Sequence, residues 1–193
     1  TTMKKLGFVL LLFTLLLASC HPTKYVHDLE STPYGIDYRE GKWLLNEIES
    51  PQRIRPILTK IAYKGFRKNL GDNLKKTEDL TNIKRSFISV QLDMIQLERI
   101  KRQSKFDYLI LIKCDDMDSE IDSMVFGTPD NKKTNAAETI LEVYNLNTLE
   151  MIYHRRVMGQ VVIDDTDDGG FCVVNGTNGI MISSLQKIMK KIK

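Results

Sequence analysis

The stretch Phe106-Asp107-Tyr108-Leu109-Ile110-Leu111-Ile112-Lys113-Cys114 decides how this chain folds. Its apolar run is unbroken and short, the pattern of a central strand covered on both faces. Immediately upstream, Val90, Met94, Leu97 and Ile100 recur at helical spacing and predict a helix from about Ser89 to Arg102, with those side chains inward. Further back, Ile54, Ile57, Leu58, Ile61, Ala62, Phe66 and Leu70 form a longer stripe, with Pro51 in its first turn and Gly71 as its stop. Before that helix, Lys42 to Ile48 lies between Gly41 and Ser50-Pro51 and predicts a short strand. A right-handed crossover sets it parallel to the Phe106 strand.

Downstream, residues 115–136 are polar and predict a loop around Gly127 and Pro129. Ala137–Asn145 and Met151–Ile163 then predict a hairpin, in which Leu141 and Val143 alternate with Glu142 and Tyr144. After an acidic loop and Phe171-Cys172-Val173-Val174, a closing helix carries Met181, Leu185, Ile188, Met189 and Ile192 on one face. Gly176-Thr177-Asn178-Gly179 opens that helix, and Lys187, Lys190, Lys191 and Lys193 suit its C-terminal end. The expected fold is α/β (α+β): a mixed sheet of four to five strands with about three packed helices, a β-hairpin and a C-terminal helix. At 193 residues, 42% apolar and 27% charged, the chain suits one such domain and not a disordered or fibrous class.

The amino terminus sets the compartment. Lys4 and Lys5 precede an apolar run from Leu6 to Ala18, then Ser19-Cys20. As a helix the run spans about 20 Å, short of the roughly 30 Å hydrocarbon core of a bilayer. This is the layout of a secretory signal peptide, with Met3 as its natural start. Leu17-Ala18-Ser19-Cys20 resembles the lipobox of bacterial lipoproteins. The resemblance implies cleavage before Cys20 and acylation of its thiol (thioether lipid and palmitate), with several acyl chains holding the protein on a membrane. No Asp follows Cys20, so the outer membrane is expected, and no acidic run follows it either, which favours the periplasmic face. Three segments result: 1–19 a lipoprotein signal peptide, 20–41 the lipidated Cys and a flexible tether that holds His21 and His27 and touches the domain at Tyr34, Ile36 and Tyr38, and 42–193 a single α/β domain. Losing residues 1–19 removes two lysines and no acid, so the net charge falls from +3 to +1. Nucleic acid is excluded as a partner by that charge and by the compartment.

The order of elements, the Phe106 strand and the hairpin Ile140–Tyr153 together resemble the TolB amino-terminal and CsgG-like envelope domains. Lys42-Trp43-Leu44-Leu45-Asn46 also resembles uncharacterised lipoproteins of flavobacteria, within Bacteroidetes. These resemblances imply a domain that works through protein contact. Secretion-channel activity is not carried over, because residues 115–136 are too polar to build a pore wall.

Asp115, Asp116, Asp118, Glu120 and Asp122 form one acidic cluster, and Asp164, Asp165, Asp167 and Asp168 another. In an antiparallel meander both emerge at one pole of the sheet, as solvated loops, a partner-contact surface or a cation site. Starting at Asp164 or Asp165, the twelfth position is Asn175 or Gly176, so no EF-hand is present. Lys60, Lys64, Arg67 and Lys68 line the outer side of the first helix as a solvated face, with anionic headgroups or polysaccharide as the alternative. Cys114 and Cys172 are a candidate disulfide in an oxidising compartment, or two buried free thiols. His154 is the one histidine of the domain, and no nucleophile elbow, zinc pair, Cys-x-x-Cys or phosphate loop accompanies it. The expectation is therefore a membrane-anchored, non-catalytic envelope lipoprotein without cofactor or metal. It would present its domain to an envelope protein in the periplasm. The alternative is a cation or small-molecule binding module using the acidic pole.

Overall fold

A computed structural model describes residues 22–28, 31–80, 90–121, 124–126, 132–163 and 171–192. The sequence-predicted signal peptide and Cys20 lie outside the described residues, as do Asp122 and Asp164, Asp165, Asp167 and Asp168.

The main sheet has six strands in the order β1-β7-β6-β4-β2-β3, more than the four to five expected. β4 (Tyr108–Ser119) is interior, as its apolar run requires. On one side it pairs in parallel with β2 (Trp43–Leu45), which in turn pairs in parallel with β3 (Leu74–Lys76). On the other side β6 (Lys133–Asn145) and β7 (Glu150–Ile163) form the expected hairpin, antiparallel throughout. The far edge is β1 (Lys24–His27), antiparallel to β7. A separate pair joins β5 (Met124–Phe126) to β8 (Phe171–Val173).

Among the described residues three α-helices accompany the strands. α1 (Arg55–Leu70) buries Leu58, Ala62, Phe66 and Leu70, one per turn, and ends at Gly71 with φ +54°. α3 (Thr177–Lys191) buries Ile180, Met181, Leu185 and Ile188 beside it. Both lie on one face of the sheet with Ile110, Ile112, Leu141, Val143 and Val157. They approach closely where α1 has Gly65, since a Cβ there would stand 2.8 Å from Met189 Sδ. α2 (Met94–Ser104) covers part of the opposite face, over Leu44, Leu109, Leu111, Tyr144 and Leu146.

Several expectations need correction. The segment 20–41, expected as a flexible tether, carries β1; beyond it Ile36 touches the domain as expected, at 5% exposure, while Tyr34 is 68% exposed. β4 does not end at Cys114 but runs on through the first acids to Ser119, because β6 offers a ladder as far as Asn135. A register shift between Asp116 and Asp118 marks the bulge in that extension. α1 begins after a turn at Pro51, so Pro56 occupies its first turn and Ile57 faces solvent. α2 starts at Met94, where Asp93 accepts from the Gln96 amide and Gln96 reaches back to the Asp93 amide. This capping box fixes a helix phase that buries Leu97 and leaves Met94 exposed. Among the described residues no helix is long and apolar enough to cross a membrane.

Candidate interaction cleft

Three strand ends meet at one pole of the sheet: the start of β4, the end of β6 and the start of β7. The turn between β6 and β7 is tied by Asn145, whose Oδ1 accepts from the amides of Asn147 (2.8 Å) and Thr148 (3.3 Å). Asp107 clamps the pole from the other side. Its carboxylate accepts from the Lys42 amide at 2.8 Å and from Asn147 Nδ2 at 3.1 Å. The Lys42 amide, then the Asn147 side chain, hold the Asp107 carboxyl below the usual carboxylate range. Gly41, with φ +138°, sits against this clamp, where a Cβ would come 3.0 Å from the Tyr108 ring and 3.1 Å from Asp107 Oδ2. Behind it the indole of Trp43 stacks on Tyr108 with centroids 4.2 Å apart and planes 18° from parallel. Such a pair contributes about 0.5–1.5 kcal/mol beyond its burial.

The segment after β1 completes the cleft. Thr32 bonds to β7 through its amide to His154 O (2.7 Å) and through Oγ1, which accepts from the His154 amide (2.8 Å). Arg155, only 7% exposed, donates to Thr32 O (2.7 Å) and to Tyr153 Oη (2.8 Å). Tyr38 donates to Ile192 O at the end of α3 (3.0 Å). Held at these points, the chain from Tyr34 to Arg39 borders an open cleft of about 330 Å³ floored by Tyr108, Asn145 and Tyr153. Tyr34 (68% exposed) and Met151 (50% exposed) stand at its edges, and Asp37 and Arg39 pair on the rim at 2.8 Å. A cleft of this make-up, apolar and aromatic with one ion pair on its rim, is suited to gripping a side chain or short segment.

The sequence-predicted residues are distributed elsewhere. Asp115 takes Lys113 Nζ at 2.8 Å, and Lys113 also lies 3.8 Å from Glu49. Asp116 accepts from Thr177 Oγ1 (3.2 Å) at the head of α3, and Glu120 accepts from the Thr134 amide (2.8 Å). Asp118 lies beyond the bulge of β4. Among the described residues no three ligating side chains converge on a cation position. Cys114 is a free, buried thiol that accepts from Thr139 Oγ1 at 3.5 Å. Burial pushes its thiol up to about 12. Cys172 falls in β8, opposite Val125. Lys60, Lys64, Arg67 and Lys68 are exposed, and Lys64 and Lys68 share a groove of about 690 Å³ with Lys190 of α3.

His154 faces the α2 side of the sheet, where its Nδ1 is 3.7 Å from Glu142. Glu142 is itself buried and accepts from Tyr144 Oη (2.7 Å) and the Gln91 amide (2.8 Å), while Tyr144 Oη accepts from the Leu92 amide (3.1 Å). This network docks the approach to α2. Of the cleft residues, Met151 was missed as a contact candidate, and Tyr34, expected to touch the domain, instead stands exposed at the cleft edge. The signal for a role of this segment was Tyr34, Ile36 and Tyr38 at alternate positions of the expected tether, where a free linker has no use for large apolar side chains.

No family model matches the sequence, and no curated protein matches it. Among solved structures, a PelC dodecamer from Paraburkholderia phytofirmans is 10% identical, with a TM-score of 0.44 over 89% of this chain and 97% of that one. Lipoprotein GNA1162 from Neisseria meningitidis is 9% identical, with a TM-score of 0.38 over 77% of this chain and 98% of that one. A putative neuraminyllactose-binding hemagglutinin homolog from Helicobacter pylori is also 9% identical, with a TM-score of 0.38 over 83% and 85%. At these values the likenesses carry no statement about the family or the task of this chain.

Proposed function

We propose that this protein is a lipid-anchored, non-catalytic component of a bacterial cell envelope that meets a protein partner through the cleft at the Tyr108 pole. The anchor is read from Leu17-Ala18-Ser19-Cys20, and with it the outer-membrane, periplasm-facing placement. The observation that carries the contact reading is the pairing of exposed Tyr34 and Met151 around a floor of buried aromatic residues. Tyrosine, methionine and arginine are enriched in interface cores, and a rigid aromatic side chain loses little freedom on binding. The floor is pre-formed by the Asp107 clamp and the Trp43–Tyr108 stack, so little ordering cost remains for a partner.

The test is photo-crosslinking in intact membranes from a reactive side chain placed at Tyr34 and, separately, at Met151. Both positions are expected to join the same envelope protein, while a control at Lys187 on the helix side does not. Failure of the two positions to share a product overturns the contact reading. An unlipidated Cys20, shown by the mass of the mature amino-terminal peptide, overturns the anchor reading.

A further inference from the structure

The anchor reading and the fold together constrain which way the domain faces. We propose that the pole opposite the cleft, carrying Thr23, Lys24, Asn135, Gln160 and Asn175, rests against the lipid headgroups of the membrane that holds Cys20. The inference rests on the proposed acylation of Cys20.

Its basis is the length of chain between the anchor and the first strand. β1 begins at Lys24, opposite Gln160 near the end of β7. One residue earlier Thr23 is also tied down, its Oγ1 accepting from Asn175 Nδ2 at 3.1 Å. Asn175 is tied in turn, its carbonyl accepting from Asn135 Nδ2 at 3.3 Å. From Cys20 to Lys24 a fully extended chain spans about 14 Å at most. The fourteen residues of β7 cover about 46 Å, so the pole at Gln160 cannot leave the membrane surface by more than a fraction of the domain's length.

β1 is also a poor candidate for peeling off to lengthen the link. Tyr25 lies over Gly159, where a Cβ would meet both its ring and Ile180. Lys187 of α3 sits 4.3 Å above the same ring. Charge does not supply the attraction: in sequence Asp116, Asp118, Glu120 and Asp122 close or follow β4 and Asp164, Asp165, Asp167 and Asp168 follow β7, outnumbering Lys24, Lys132 and Lys133 at this end of the strands. The covalent link alone sets the orientation, so it withstands salt. The Tyr34–Met151 cleft then points away from the bilayer.

The experiment uses the lipidated protein in vesicles of phosphatidylethanolamine and phosphatidylglycerol with an energy-transfer acceptor on the headgroups. Donors are attached in a Cys172→Ser background at Lys24→Cys or Lys133→Cys near the proposed membrane pole, and at Thr148→Cys at the far pole. Cys114 is buried and stays unlabelled. Strong transfer is expected from both near positions, with loss of transfer at Thr148→Cys and no change in high salt. Inserting about twenty Gly/Ser residues between His21 and Pro22, with a reach of about 25 Å, is expected to erase the difference between poles. Equal transfer from both poles without the insert, or a difference that disappears in salt, overturns the orientation. A protein that does not float with the vesicles at all overturns the anchor reading and this inference with it.

Discussion

The two faces of the main sheet are built on different terms. The α1/α3 face is dry: Leu58, Phe66, Ile110, Leu141, Val157, Leu185 and Ile188 are all essentially inaccessible and interlock across two helices. The α2 face is apolar only under the helix, and then gives way to a ladder of charge. Lys113 lies between Asp115 and Glu49, and Arg156 pairs with Glu138 and, at 3.8 Å, with Asp28. On α2 itself only Leu97 is fully buried, while Met94 and Ile95 are 67% and 72% exposed. One sheet thus serves as the floor of a core on one side and as a largely polar surface on the other. The difference comes from the period-two alternation of β6 and β7, which sends Leu141 and Val157 one way and Glu142 and Arg156 the other. Global stability belongs to the first face, and local adjustment to the second.

The largest expected effect separates the faces directly. Leu185→Ala should cost about 3–5 kcal/mol, read as a fall in the denaturant midpoint with cooperative loss of all structure. Leu97→Ala should cost about 2 kcal/mol, with hydrogen exchange rising in α2 before it rises in the strands. Equal global losses would break the comparison. Next comes Glu142→Ala, which strands the Gln91 amide and the Tyr144 hydroxyl; a loss of about 1–3 kcal/mol should again appear as early exchange at residues 90–104. Smaller still is Asp93→Ala, removing the capping box, at about 1 kcal/mol by the same exchange measurement.

Asp107 provides a pH test of the clamp at the cleft pole. Its carboxyl is held below the ordinary value, so the folded state favours the charged form. That contribution is complete above about pH 4 and is lost as pH falls through the depressed folded value. Asp107→Asn should flatten the acid limb of a denaturant-midpoint profile and leave the neutral-pH slope unchanged. An unchanged acid limb would mean that the Lys42 amide and Asn147 hold the group no differently from solvent.

How much of this was legible in the sequence depended on whether a segment's neighbours repeat its signal. β4, β6, β7 and α3 announce themselves because each carries several apolar residues at one period; β7 and α3 fall where expected, while β4 and β6 both run on into the expected loop 115–136, β4 to Ser119 and β6 from Lys133. β1 and β3 do not. Lys24–His27 and Leu74–Lys76 are too short to show a period, and each is a strand only because an edge of the sheet offers it a ladder. The reach of β4 past Cys114 was hidden for the same reason, as Asp115 and Asp116 extend because Glu138 and Ala137 face them. The phase of α2 turned on a local signal that outranks periodicity, the Asp93–Gln96 box. As for the cleft, Tyr108 and Met151 are far apart in the chain, and only the convergence of three strand ends brings them together.

The pairing of β1 with β7 has a kinetic side. Lys24 and Gln160 stand opposite each other, so the earliest strand of the domain finds its only ladder on one of the last. A chain delivered from its amino end exposes Lys24–His27 long before residues 157–160 exist to receive it. Closing so long a loop is slow, and relative contact order sets the rate. The β1–β7 ladder is thus among the contacts of longest sequence separation in the domain, and its closure carries a correspondingly large loop entropy.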